Sequence, residues 1–486
     1  MKNIKNIKII LSVTLSLLVI LIPFVTLFTF VLSSPKTYSG TFVGGLNEKF
    51  ERLNSIEGEK IVIVGGSSVA FGIDSAVMEE YLGRPVVNFG LYAALGTKLM
   101  MDLSRSNIGE GDVVILSPEL DPQTLSLYFS SEHTLEALDD DYSMARFVRG
   151  DNKLSLLGGL WKHAVKKLGH IREGIQSPEG VYNSRSLNEY GDVLPRLTDS
   201  DGNVIWERGQ NVMQLYYDPT TPIDLTPDIV SDDFIDYVNE YIRFCEGRGA
   251  TVYFSYCPMN EAAISDTSDR GRFADYLEAN INCEFISMID SYILDKAYFY
   301  DTNFHLNNSG VTVRTKTLIE DVMIAEGSYS PVNIVIPDPP PLPESDIKFL
   351  GEDENDKYFT YTELDNGALS VTGLTELSKT METLTIPLGA DHIKVTAIGK
   401  EAFSGGVAKT VIITEDTNVR NLLDGIFDNT SVTDLYIYYN FTDESEKLVP
   451  PGDFGGITLH VKRGSQYLTH YDWQDTSGGY TVEYIE

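Results

Sequence analysis

Lys60-Ile-Val-Ile-Val-Gly-Gly-Ser-Ser-Val-Ala-Phe-Gly-Ile-Asp-Ser75 is the stretch on which the fold turns. An apolar, β-branched run breaks into two glycines and two serines, then into residues compatible with a helix, so it reads as strand, tight turn and helix start. Gly65 and Gly66 let the chain turn sharply enough to hold Ser67 at the lip of a sheet. A serine there lies at a helix N-terminus, where free N–H groups stabilise negative charge on oxygen. Gly-Gly-Ser after a strand also serves as an ordinary βα loop, and the rest of the chain has to decide between the two readings.

Outward from this stretch the pattern repeats. A helix is predicted over 68–82, a second strand over 86–89, a helix over 93–103 and a third strand over 112–117. After a looser region the rhythm returns with a helix over 232–246, a strand over 251–256, a helix over 272–279 and a fifth strand over 297–300. Strand and helix alternating at this pitch specify a parallel sheet with right-handed crossovers. The expected fold class is therefore α/β: a three-layer αβα domain over 58–328 with a five-stranded parallel sheet, its site at the C-terminal strand ends. The region 121–228 reads as a helical insertion covering one side of the sheet. Leu157, Trp161, Val165 and Leu168 form its apolar stripe, with Lys162, Lys166 and Lys167 on the other face.

The second chemical stretch is Tyr300-Asp-Thr-Asn-Phe-His-Leu-Asn-Asn-Ser-Gly310, directly after the fifth predicted strand. A histidine and a carboxylate in one loop, brought beside the first helix by the sheet, would supply a general base and its orienting partner. Of seven histidines only His305 has such a place. His133, His163 and His170 fall in the insertion, and His392, His460 and His470 further on, where they read as structural.

Gly65-Gly66-Ser67, Val87-Asn-Phe-Gly90 and the Asp301–His305–Gly310 block, in that order, resemble the blocks of the SGNH/GDSL hydrolase superfamily over about 58–325. The resemblance implies a flavodoxin-like sheet, Ser67 as nucleophile, His305 as base, Asp301 as its orienting acid, and the N–H groups of Ser67 and Gly90 as oxyanion hole. Ser68 is the rival nucleophile. Gly66 replaces the family's Asp. Glu119, in Ser117-Pro-Glu119, stands where the family places an oxyanion-donating Asn, and a carboxylate accepts but does not donate. The spacing from Asp301 to His305 is four rather than three, leaving Thr302 at the family's Asp position. Asn303 or Asp301 could then face His305, and the carboxylate is favoured because it stabilises an imidazolium. Glu119 and Asn303 are expected to line the site.

At the N-terminus, Ile9 to Ser33 contains no charged residue across 25 positions and follows Lys2, Lys5 and Lys8. It reads as a transmembrane anchor over 9–33 behind a cytoplasmic segment 1–8, uncleaved because no A-x-A site precedes Lys36. A juxtamembrane segment 34–57 follows, and the bulk of the chain is expected outside a cell membrane crossed once. Six prolines between Pro331 and Pro343 mark a linker over 329–347.

Beyond the linker, Thr383-Leu-Thr-Ile-Pro387, Thr410-Val-Ile-Ile-Thr414 and Asp434-Leu-Tyr-Ile-Tyr438 recur at offsets of 27 and 24. Units of this length stack into solenoids. Ile398, Gly399, Ala402 and Phe403 resemble the BspA-like leucine-rich repeat over about 380–465. Domain 348–486 is thus expected to be a short repeat solenoid of about three units, capped by a tail with Tyr467, Tyr471 and Trp473.

A net charge of −34 argues against a nucleic-acid partner. Three cysteines, Cys245, Cys257 and Cys283, imply no disulfide framework, although one Cys245–Cys257 or Cys257–Cys283 bridge stays open. No metal motif or cofactor loop is present, so no cofactor is expected. The expected function is a membrane-anchored serine esterase or O-acyltransferase on acyl, acetyl above all, esters of cell-envelope or exopolysaccharide carbohydrate. The alternative is a catalytically inactive surface adhesin or scaffold that binds a protein or surface ligand through its repeats.

Overall fold

The computed structural model describes residues 19, 22, 25–34, 36–174, 180–213, 215–218, 220–342, 347–440, 447–463, 465, 473 and 479–485. Five parallel strands, β1 (Ile61–Gly65), β2 (Val86–Phe89), β3 (Val113–Ser117), β4 (Thr251–Phe254) and β5 (Glu284–Phe285), form one sheet in the order β2-β1-β3-β4-β5. Each strand alternates its side chains between two apolar layers, as the two-residue period of a strand demands. Val62, Val64, Val87, Phe89, Val114, Leu116, Val252 and Phe254 enter one core. Ile61, Ile63, Val86, Val113, Ile115 and Tyr253 enter the other, against the last helix of the domain.

Helix α1 (Ser67–Gly72) and α2 (Ser75–Leu82) replace the single helix predicted over 68–82. Ile73 is extended, and Asp74 caps α2 by accepting from the Val77 N–H at 3.1 Å. Helix α3 (Thr97–Ser104) and α5 (Asp232–Glu246) flank the first core, the latter at the predicted residues. Helix α6 (Asn308–Ala325) covers the opposite face with Leu318, Ile319, Val322 and Met323. The fifth strand is not at 297–300. Those residues form a short 3-10 turn and coil, and β5 pairs with β4 some dozen residues earlier. Ala297 and Phe299 are buried all the same, so their apolar run satisfied a strand reading without a ladder to join.

The transmembrane helix predicted over 9–33 is not supported: among the described residues no helix is long and apolar enough to cross a membrane. Much of 9–33 lies outside the described residues. The fold class is therefore corrected to α/β with a repeat domain and without that helix. All three cysteines are free thiols, Cys245 and Cys257 buried, so neither candidate bridge forms.

The proline-rich segment is extended but does not run free: Val332 is buried in the second core, and the Tyr298 hydroxyl donates to the Pro337 carbonyl at 3.0 Å. Beyond it, β6 (Thr383–Thr385), β7 (Thr410–Ile413), β8 (Asp434–Ile437), β9 (Thr458–Lys462) and β10 (Thr481–Ile485) stack as one parallel sheet. Thr383, Thr410, Asp434, Thr458 and Thr481 are in register. The tail is thus a further rung where a cap was predicted. Tyr467 and Tyr471 lie outside the described residues. Phe403, Phe427 and Phe454 stack at centroid spacings of 6.3 Å, and Trp473 closes the column at 5.4 Å. This aromatic column gives each rung a shared core that no single unit could bury alone.

Candidate active site

The parallel register sets three loops side by side at the C-terminal edge of the sheet. Val64 pairs with Phe89, so the Gly65-Gly66-Ser67 turn leaves β1 beside Gly90. Gly65 pairs with Ser117, which puts Ser117-Pro-Glu119 on its other flank. Ser67 opens α1 and Phe71 follows one turn later on the same side of that helix.

His305 arrives from the far end of the domain. Its ring lies flat on Phe71, with centroids 4.0 Å apart and planes within 1°. Its Nδ1 is 2.8 Å from Asp301 Oδ1. Burial alone would raise the Asp301 carboxyl, but His305 and the Tyr182 hydroxyl together hold it below its ordinary value. The acid is therefore ionised opposite Nδ1, which leaves Nε2 as the ring's second nitrogen for proton transfer. Ser67 and His305 are both buried. Among the described residues no hydrogen bond joins the Ser67 hydroxyl to His305, and catalytic contacts of this kind tighten when substrate binds.

The ambiguity around Asp301 has a structural answer. Thr302, at the position where the resemblance expects the acid, turns its hydroxyl to accept from the N–H groups of Phe304 (3.3 Å) and His305 (3.1 Å). Asn303 points away from His305: its amide donates to the carbonyls of Asp218 and Thr221, and its Oδ1 accepts from the Asp218 N–H at 2.7 Å. It secures the 218–221 segment and does not line the site beside His305. Thr302 thus builds the turn of the loop, and the carboxylate that faces His305 Nδ1 is that of Asp301.

Glu119 sits at the Gly65-Gly66-Ser67 turn. Its Oε1 accepts from the Ser68 N–H at 2.6 Å, while Oε2 is buried with no hydrogen-bond partner. A Cβ on residue 66 would collide with that carboxylate. Glu119 therefore occupies the space a side chain at 66 would need, which explains why the turn reads Gly-Gly-Ser. Gly90 packs just as closely, since a Cβ there would meet the Gly66 carbonyl. The Gly90 N–H makes a long contact of 3.3 Å with Asn88 Oδ1. The Ser68 hydroxyl is fully buried and unpartnered, behind the turn rather than at its lip.

Four residues of the site carried no legible motif. Tyr182, from the insertion, donates to Asp301 Oδ2 at 2.6 Å and lies 3.4 Å from His305 Nδ1. Phe71 was visible only as a helix-compatible residue. Arg208 is buried and donates to four carbonyls: Phe71 and Leu306 through Nη1 at 2.7 and 2.9 Å, Val193 through Nη2 at 2.6 Å and Leu194 through Nε at 2.9 Å. Burial pushes its guanidinium down to about 10, partly offset by Asp192 and Asp301. It ties α1 to the loop that carries His305. Arg314 of α6, also buried, donates to the Ser68 carbonyl at 2.6 Å and the Ser117 hydroxyl at 2.8 Å, fixing the turn to β3. Phe42, Phe71, Tyr92 and Tyr182 wall the pair with edge and tilted ring contacts.

Among the other histidines, His460 differs from its sequence reading. It bonds Asp434 at 2.8 Å across one rung and stacks on Tyr436 at 3.9 Å, so it has a partner that the linear pattern did not reveal. Among the described residues no group of His, Cys, Asp and Glu could hold a metal ion. A scan against protein-family models found no match, and a search of curated proteins found none.

Proposed function

We propose that the chain is a serine esterase or O-acyltransferase acting on small acyl esters of carbohydrate. The observation that carries this reading is the Asp301–His305 pair laid on the helix that Ser67 opens. Ser67 Oγ attacks the ester carbonyl carbon while His305 Nε2 takes its proton. Asp301 stabilises the imidazolium, and the N–H groups of Ser67 and Gly90 face the oxyanion. Collapse expels the alcohol, which takes the proton back from His305 and leaves an acyl-serine. Water or a sugar hydroxyl, deprotonated by His305, then releases the acyl group. The enclosure of Ser67 and His305 favours a small acyl group such as acetyl. The carbohydrate half of the substrate rests on analogy of fold and expected location alone.

A fluorophosphonate probe tests the proposal on the intact protein. Labelling is expected on Ser67 and is expected to vanish in His305→Ala. A folded protein without labelling would favour the second reading, an inactive scaffold, which the Glu119 carboxylate against the turn supports.

Glu119 supplies a separate prediction. In Glu119→Gln the amide oxygen can still accept from Ser68, and an N–H₂ group replaces the unpartnered Oε2. One oxyanion donor is worth ~2.7–4 kcal/mol, about 10²–10³ in rate. Steady-state hydrolysis of p-nitrophenyl acetate by this variant is expected to rise, by tenfold or more. A fall instead would mean that the carboxylate charge itself serves the reaction.

A further inference from the structure

Helix α4 (Asn152–Glu173) carries an apolar stripe turned outward. Leu154, Leu157, Trp161, Val165, Leu168 and Ile171 are between 44% and 68% exposed. At 100° per residue they share an arc of roughly 120°. The sequence pattern had assigned this stripe to covering the sheet. Instead the helix buries Leu156, His163, Ala164 and Lys167. Its lysines are engaged on the protein side: Lys162 and Lys166 bond Glu132 at 2.6 and 2.9 Å, and Lys167 bonds Asp139 at 2.5 Å. The face that turns inward therefore carries Leu156, His163, Ala164 and the fully buried Lys167, and the apolar stripe is left outside. Exposed apolar patches of this extent on a folded protein mark an interaction surface.

The stripe is not isolated. The helical run 25–33 lies alongside, with Phe28 stacked on Trp161 at 6.2 Å and the Leu32 and Ser34 carbonyls 3.4 and 3.5 Å from Lys167 Nζ. Val25, Leu27 and Phe30 of that run are exposed too. In the sequence the uncharged stretch continues N-terminally to Ile9.

We infer that α4 and the adjoining run rest in the interfacial layer of a lipid bilayer, the helix lying in the membrane plane with its stripe among the acyl chains. Helix α4 is 22 residues long but not apolar enough to cross, and its far face is occupied by protein. A net charge of −34 disfavours both a second copy of the chain and an anionic lipid surface, which leaves a zwitterionic bilayer as the matching partner. The inference does not depend on the proposed chemistry.

The chain has three tryptophans, and Trp206 and Trp473 are buried while Trp161 is not, so Trp161 is a built-in reporter. The full chain is mixed with phosphatidylcholine vesicles whose acyl chains are brominated. The Trp161 emission, read as the difference between the natural protein and Trp161→Phe, is expected to fall at least twofold, with reduced quenching by aqueous iodide. Leu157→Glu with Val165→Glu, at exposed positions, is expected to abolish the bromine quenching without lowering the melting temperature. Unchanged emission on brominated vesicles would overturn the inference. So would vesicle binding with Trp161 still open to iodide, which would assign attachment to the N-terminal segment alone. Shielding from iodide without bromine quenching, together with a dimer in sedimentation equilibrium, would assign the stripe to a second copy and overturn it as well.

Discussion

Ser67→Ala is expected to lower p-nitrophenyl acetate hydrolysis by the purified protein at least ~10³-fold, with the residual rate supplied by binding and the oxyanion donors. The folded state should barely change. Among the described residues the Ser67 hydroxyl has no hydrogen bond to His305, and the turn is held by other atoms: the Ser68 N–H to Glu119 and the Ser68 carbonyl to Arg314. Removing one oxygen therefore leaves those contacts in place. The measurement is kcat/KM beside a thermal melt. Unchanged turnover would remove Ser67 from the reaction, and a collapsed melt would mean that the variant reports on folding instead. Ser68→Ala separates the rival. Its hydroxyl is buried without a partner, so its loss should leave turnover within a few-fold.

The second large effect belongs to Arg208→Met. One guanidinium serves four backbone carbonyls from three parts of the chain. Methionine fills similar volume and donates nothing, so buried carbonyls lose partners at ~1–3 kcal/mol each. A loss of about 4 kcal/mol or more is expected in the unfolding free energy of the first domain, read from a denaturant titration. Activity should fall with it even where the variant remains folded, because Arg208 joins the Phe71 carbonyl to the Leu306 carbonyl and thereby sets the loop that carries His305 on α1. Arg208→Lys should recover only part of either quantity. An ammonium has three donors on a flexible stem and cannot reproduce the planar fork. A Lys variant equal to the natural protein in both stability and kcat would refute this role.

The repeat domain was legible for a different reason from the site. Its strands recur at offsets of 23 to 27, and the units before β7 and β8 each place an aromatic residue seven positions ahead of an apolar strand, so the sequence carries the period of the solenoid directly. The count fell short because the aromatic residue stands seven positions before β7 and β8 but four before β9 and eight before β10, so the last units do not repeat the spacing. Trp473 stands in for phenylalanine at the end of the column. A misplaced fifth strand has the same kind of origin. The run around Ala297–Tyr300 is apolar because it is buried, and burial alone does not say whether a neighbouring strand is present to pair with it.

Local pattern determined the order of strands and helices in the first domain, the turn that presents Ser67, the loop that carries Asp301 and His305, and the repeat period. Each is encoded by residues close together in the chain: a two-residue alternation, a glycine pair, a carboxylate four positions before a histidine. Tertiary structure alone decided that Thr302 is spent on a backbone turn, that Tyr182 and Arg208 come out of an insertion to hold the pair, that Glu119 fills the space above Gly66, and that the stripe of α4 faces outward. A periodic sequence establishes that a helix has an apolar face. What covers that face depends on contacts between distant segments, here those of the inward face with its buried Lys167–Asp139 pair, and no local period records them.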